Sequence, residues 1–298
     1  MVKSIKVSLC EMTFLSSCLG TQTHVNVLLP LGCATQNKEE NKPPFKTLTL
    51  LHGKSDDYCT WLRNSTVEQL AQKYKLAVIM PDADNSFYTN MKYGARYFDY
   101  ISEELPRVMR KIFPLSHRKE DNFIAGLSMG GYGAMKVGMR CHQNYRAIGF
   151  FSSLADVVGA AAKNCLSPEK ERDFAFKPEQ LAVFAENQVD PEKAKAQAIL
   201  DSHLWKAAFG DDMSWLKGSD EDLFALAEKT KAEGNELFFY QTCGTDDFLY
   251  QDNLRLRDHI QKLGLDHVYE EGPGGHVWKV WEWSIHHYVE LLHDRGYL

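Results

Sequence analysis

The chain has 298 residues, 44% hydrophobic and 25% charged, with a formal net charge of −6. That suffices for one large α/β domain or two small ones, of ordinary globular composition. No Lys/Arg-rich block stands out and no stretch approaches the roughly 20 apolar residues of a membrane-spanning helix, which argues against nucleic acid and membrane as partners.

Met1 to Lys6 leads into a mildly apolar stretch broken by Glu11, without the apolar core and cleavage site of a secretory leader. Lys6 to Cys18 and His24 to Leu29 read as paired strands around a turn at Gly20-Thr21-Gln22. Asn37 to Pro44 is polar, ends in Pro-Pro and reads as a loop. An alternation follows. Lys46 to Leu51 reads as a strand, and Ser65-x-x-Glu68 as a capping box opening a helix to Tyr74. Leu76 to Met80 reads as a buried strand, and Tyr97 to Ile112 as a helix despite Pro106. Asn122 to Leu127 is a strand, Gly131 to Cys141 a helix, and Ala147 to Phe151 a strand. After a long interval come a strand at Glu236 to Thr242, a helix at Asp252 to Leu263, a strand at His267 to Glu270 and a closing helix at Trp278 to His293. The alternation predicts an α/β fold, a mostly parallel sheet with helices on both faces.

The interval from about 154 to 234 breaks the rhythm. It is rich in Ala, Glu and Lys, is punctuated by Pro168, Pro178 and Pro191, and reads as short helices inserted within one domain spanning 1–298. Inserted there, it would lie over the C-terminal strand ends as a cap on the ligand pocket. Seven scattered cysteines, never in C-x-x-C spacing, read as reduced thiols, mostly small buried hydrophobes, in a cytoplasmic protein.

Gly126-Leu127-Ser128-Met129-Gly130 is a G-x-S-x-G pentapeptide between a strand and a helix. In that context the serine stands on a strained turn, its hydroxyl exposed and the helix N-terminus beside it. A serine hydroxyl is a poor nucleophile without an adjacent base, and the base needs a third group to fix its tautomer. On such a sheet the chain order is Ser, then Asp or Glu, then His. Of eleven histidines, His276 alone sits on a glycine-rich loop, Gly272-Pro273-Gly274-Gly275, between the last strand and last helix. The acid should end the preceding strand, where Cys243-Gly244-Thr245-Asp246-Asp247 stands. Asp247 is the choice and Asp246 the fallback. The expected oxyanion donors are the Met129 N–H and, from the loop Leu50-Leu51-His52-Gly53-Lys54, the Lys54 N–H; His52 would support that loop.

Other motifs fail on position. Gly53-Lys54-Ser55 would need a glycine at Leu48 to be a phosphate-binding loop. Asp82-Ala83-Asp84-Asn85 would need Gly at Phe87 and Glu at Tyr93 to bind calcium. No zinc motif occurs, so no metal is expected. Trp278, Trp281, Trp283 and Tyr288 read as core packing rather than a sugar platform.

Assembled, the chain resembles the esterase D-like branch of the α/β-hydrolases, notably bacterial tributyrin esterases and related feruloyl or acetyl esterases. The matching pieces are Leu51-His52-Gly53, Asn85-Ser86-Phe87-Tyr88, Glu103-Glu104-Leu105-Pro106, Gly126 to Gly133, Cys243 to Tyr250, and Gly275-His276-Val277-Trp278. The resemblance implies an α/β-hydrolase fold and a serine carboxylesterase cleaving short acyl esters, small-molecule substrates, through an acyl-enzyme intermediate and without a cofactor. In that family the acid directly precedes the Phe-Leu pair, which supports Asp247. The 154–234 segment looks bulkier than in the closest relatives. A thioesterase of the S-formylglutathione hydrolase type would use the same triad; a non-catalytic binding protein would more naturally lack part of it. Acyl length, alcohol preference and oligomeric state, a homo-oligomer included, stay open.

Overall fold

A computed structural model describes residues 6–31, 43–172, 175–177, 180 and 190–298. Met1 to Ile5, Cys33, most of the expected Asn37 to Pro44 loop, and Pro178 lie outside the described residues.

The first two strands, β1 (Ser8–Leu15) and β2 (Gln22–Leu29), form the expected antiparallel hairpin. The others are β3 (Lys46–Leu51), β4 (Leu76–Pro81), β5 (Asn122–Leu127), β6 (Ala147–Phe151), β7 (Phe238–Gly244) and β8 (Asp266–Gly272). They make one sheet in the order β1-β2-β4-β3-β5-β6-β7-β8, parallel from β4 to β8. The edge strand β1 alternates half-buried and exposed residues, whereas β4 to β7 are buried throughout. This is the difference between a strand with one wet face and strands covered on both faces.

Successive β5 side chains go to opposite layers. Ile124 joins a core with Tyr132, Met135, Trp205, Phe209, Leu226 and Leu256; Phe123 and Ala125 join another with Trp61, Leu70, Tyr288 and Val289. The second layer is built by α1 (Thr60–Asn64), α2 (Val67–Tyr74) and the C-terminal helix. The first contains α3 (Tyr97–Asp99), α4 (Leu105–Ile112), α5 (Met129–Arg140), α6 (Val157–Asn164) and, beyond α7 (Pro168–Arg172), α8 (Pro191–Phe209), α9 (Leu223–Ala232) and α10 (Tyr250–Leu263). The C-terminal helix is α11 (Trp278–Asp294). A mostly parallel sheet wrapped this way is the α/β-hydrolase fold. Among the described residues of 154–234 there are helices and turns but no strand.

Three local expectations need correction. The Ser65–Glu68 capping box does not form. Ser65 Oγ instead donates to the Trp61 carbonyl (2.6 Å), closing the short helix α1, and the Thr66 N–H donates to Glu282 on α11 (3.1 Å). A carboxylate from across the fold replaces the local cap. Tyr97 to Ile112 is not one α-helix either: a π-turn at Tyr100–Glu104 precedes α4, so Pro106 falls in the first turn, where its missing N–H is harmless. Of the six described cysteines, all free, Cys243 alone is fully buried; Cys10, Cys18, Cys59, Cys141 and Cys165 are half-buried. Among the described residues no helix is long and apolar enough to cross a membrane.

Candidate active site

Ser128 stands between β5 and α5 with φ 52° and ψ −118°. A non-glycine residue there carries about 1–3 kcal/mol of strain. The surroundings hold it. Its N–H donates to the Phe151 carbonyl (2.9 Å), and its carbonyl accepts from the Tyr132 and Leu154 N–H groups (both 3.1 Å). The flanking glycines are steric necessities. A Cβ on Gly126 would lie 2.3 Å from the Gly130 oxygen, and one on Gly130 would lie 2.5 Å from the carbonyls of Leu51 and His52. α5 begins at Met129, two residues earlier than the sequence suggests, so its positive end lies directly at the serine.

The loop after β8 brings His276 across the sheet. It is latched by Asp246, whose N–H donates to the Gly274 carbonyl (2.9 Å) and whose Oδ2 accepts from the Gly274 N–H (3.1 Å). Asp246 therefore shapes the loop, and its neighbour meets the ring. His276 Nδ1 lies 2.9 Å from Asp247 Oδ2, and Nε2 lies 2.9 Å from Ser128 Oγ. An ionised carboxylate can only accept, so Nδ1 carries the proton and Nε2 presents its lone pair to the serine O–H. Asp247 Oδ1 accepts from the Leu249 N–H (2.9 Å). Burial pushes the Asp247 carboxyl up, but the hydrogen bonds from His276 and Leu249 outweigh it and hold it below the ordinary carboxylate value. The Asp247 side chain is fully buried, that of His276 20% exposed. The imidazole is held between the rings of Phe248 (4.7 Å) and Trp281 (4.9 Å).

Neither the Met129 nor the Lys54 N–H has a hydrogen-bond partner among the described residues. Both residues line the cavity that contains Ser128 and His276. His52 is buried beneath this loop. Its Nε2 accepts from the Ala83 N–H (2.9 Å), so Nδ1 is protonated and donates to the Gly53 carbonyl (2.8 Å). Among the described residues no three His, Cys, Asp or Glu side chains gather as a metal site would require.

Two cavities meet at Ser128, sharing Lys54 and His276. One, of about 500 Å³, is walled by Phe87, Met129, Leu154, Ala160, Trp205 and Leu249. The other, of about 370 Å³, lies against Asp56, Leu127, Val277, Trp278 and Trp281. The sequence reading gives Phe87, inside the motif Asn85-Ser86-Phe87-Tyr88, and Trp205 no pocket role, yet their rings meet at 4.5 Å; the near-neighbour spacing of Trp205 and Phe209 on α8 is the one signal for the latter pair. Trp278 and Trp281, read from the sequence as core packing, do pack together, and they also wall the second cavity.

Residues 16–290 match the Putative esterase family. The chain is 31% identical over 290 residues to an acetyl esterase of Caldicellulosiruptor saccharolyticus, covering 96% of this chain and 98% of that one. Among solved structures it is similar to FphF, a fluorophosphonate-binding serine hydrolase of Staphylococcus aureus, at 30% identity and a TM-score of 0.77, covering 96% of this chain and 98% of that one. It is also similar to the S-formylglutathione hydrolase FrmB of the same organism, at 31% identity and a TM-score of 0.74, with the same coverage.

Proposed function

The chain belongs to the Putative esterase family, and on that premise we propose that Ser128, His276 and Asp247 are the catalytic triad of a serine carboxylesterase for short acyl esters. The observation that carries this reading is the unbroken relay of two 2.9 Å contacts from hydroxyl to imidazole to buried carboxylate. Ser128 Oγ attacks the ester carbonyl carbon while His276 Nε2 takes the hydroxyl proton. The carbonyl electrons move onto oxygen, where the Met129 and Lys54 N–H groups receive the charge. One such donor is worth about 2.7–4 kcal/mol in the transition state. The tetrahedral centre collapses, the proton passes from His276 to the departing alkoxide, and an acyl-Ser128 ester remains. Water, losing its proton to His276, repeats the cycle and releases the acid. Asp247 stays ionised, fixing the tautomer and stabilising the imidazolium.

The described residues of 154–234 form a cap in this reading, since Leu154, Ala160 and Trp205 wall the larger cavity. That cavity takes the acyl group, because Phe87, Met129, Leu154, Trp205 and Leu249 give it an apolar wall, with Lys163, Asn164, Asp201 and Asp252 also in its lining. One observation favours a second reading. The similarity to FrmB equals that to the acetyl esterase, so a thioester such as S-formylglutathione is the alternative substrate for the same triad.

Ser128→Ala should lower p-nitrophenyl acetate turnover by at least about 10⁴-fold with an unchanged circular dichroism spectrum. Retained turnover would remove Ser128 from the mechanism. A panel of acetate to octanoate esters, methyl ferulate, acetylated xylan and S-formylglutathione ranks the substrates.

A further inference from the structure

The 370 Å³ cavity beside His276 has a chemistry of its own. Trp281 stands edge-on to His276 at 4.9 Å and to Trp278 at 5.3 Å, so two indoles and the catalytic ring make a continuous aromatic wall. The Trp281 N–H is buried without a partner among the described residues. Asp56 lines the same cavity. One of its oxygens accepts from the Gly53 N–H (3.2 Å), and it makes no ion pair among the described residues. Burial pushes its carboxyl up, against the hydrogen bond from the Gly53 N–H. The cation on this rim, Lys54, is already engaged: its Nζ lies 2.6 Å from Asp201 Oδ1 on α8. The uncompensated charge of the cavity is therefore negative, and it lies among aromatic faces.

An ammonium group is drawn to such a place twice, by the carboxylate and by the indole quadrupoles. An anionic group is repelled. The position also matters, because His276 must hand its proton to the leaving oxygen. The alcohol half of the substrate has to sit against this imidazole, and this cavity is built around it.

Resting on the esterase reading of the same site, we infer that the Asp56–Trp278–Trp281 cavity is a leaving-group subsite selecting acyl esters whose alcohol carries an ammonium group near the ester oxygen.

The test compares kcat/KM for acetylcholine with that for its uncharged isostere 3,3-dimethylbutyl acetate, and with glycerol monoacetate, in the native enzyme and in Asp56→Asn. The ratio is the readout, because Asp56→Asn also disturbs the acceptor of the Gly53 N–H and changes absolute rates. The native enzyme should favour the charged ester about fivefold, less at high salt, and Asp56→Asn should bring the ratio to about one. A native ratio of one overturns the proposal. So does a preference that survives Asp56→Asn, or glycerol monoacetate preferred over both. p-Nitrophenyl acetate separates the two levels: turnover of it with a ratio of one overturns the subsite alone, whereas no turnover of any ester overturns the esterase reading and the subsite with it.

Discussion

At the rim of the sheet the residues around Ser128 are fixed by main-chain hydrogen bonds: the serine by Phe151, Tyr132 and Leu154, the histidine loop by Asp246. Across the larger cavity, the wall from the described residues of 154–234 adds side-chain packing and ion pairs to main-chain ties such as that of the Tyr93 N–H to the Ala207 carbonyl (2.9 Å). Trp205 and Phe209 pack on Phe87, Asp201 reaches Lys54, and Glu221 is buried against Lys136 of α5. The first construction fixes atoms to the tolerance that proton transfer demands. The second fixes volume and charge, and it can be altered residue by residue without moving the nucleophile. On the proposed reading, chemistry and selectivity occupy different parts of the fold, and substitutions test whether they separate.

The largest effect belongs to the rim. Asp247→Asn keeps the shape but lets the amide favour the wrong imidazole tautomer, so kcat should fall about 10⁴-fold with little change in melting temperature. A fall of less than tenfold would mean that the relay is dispensable.

On the opposite side, Lys136 Nζ is fully buried 2.6 Å from Glu221 Oε2, which also accepts from the Tyr132 hydroxyl. Burial pushes the lysine down to about 8 against the pull of Glu221. Lys136→Met leaves a buried carboxylate uncompensated and should destabilise the fold by about 3–5 kcal/mol in urea titration. Adding Glu221→Gln should recover most of this: the amide oxygen still accepts from the Thr89 hydroxyl, and the amide NH2 can donate to the Tyr132 hydroxyl, which still donates to the main-chain carbonyl of residue 221. If the double variant is no better than the single, the pair does not act as a unit.

A smaller effect sharpens the separation. Trp205→Leu keeps an apolar wall but enlarges the cavity, so the octanoate-to-acetate ratio of kcat/KM should rise five- to tenfold. An unchanged ratio would detach α8 from acyl selection.

Smallest is a pH effect remote from the site. His267 stacks on Phe150, both its ring nitrogens are buried and unpartnered among the described residues, and burial pushes it from 6.5 down to about 4. Between those values the unfolded chain binds a proton that the folded chain does not, so stability rises with pH across that window. The melting temperature should drop on acidification from pH 6.5 to 4, and His267→Phe should flatten the drop by roughly 2–4 °C. A slope identical in both proteins would assign the acid lability elsewhere.

This contrast also explains what the sequence discloses. The three proposed catalytic residues lie far apart in the chain, yet each sits at a strand end flagged by local steric demands: glycines around Ser128, a Gly-Thr-Asp-Asp turn at Asp247, a glycine-rich loop at His276. Local constraints leave local marks. Asp56 and the Lys54–Asp201 contact carry none, and Phe87 and Trp205 carry little, because their roles arise from approaches between distant segments. The capping box at Ser65 misleads for the same reason: Glu282, 216 positions from Thr66, supplies the acceptor that a local reading assigns to a neighbour. Pro106 is out of place within a helix running from Tyr97, but the π-turn before it puts it in the first turn of α4.

The most direct measurement is covalent labelling with a fluorophosphonate, peptide mapping and residual turnover being followed on the same sample. Adduct should form at Ser128 alone, one per chain, with activity falling in step, and His276→Ala should abolish labelling. Ester turnover that survives complete modification of Ser128, or an adduct formed at another serine as activity is lost, would contradict the account.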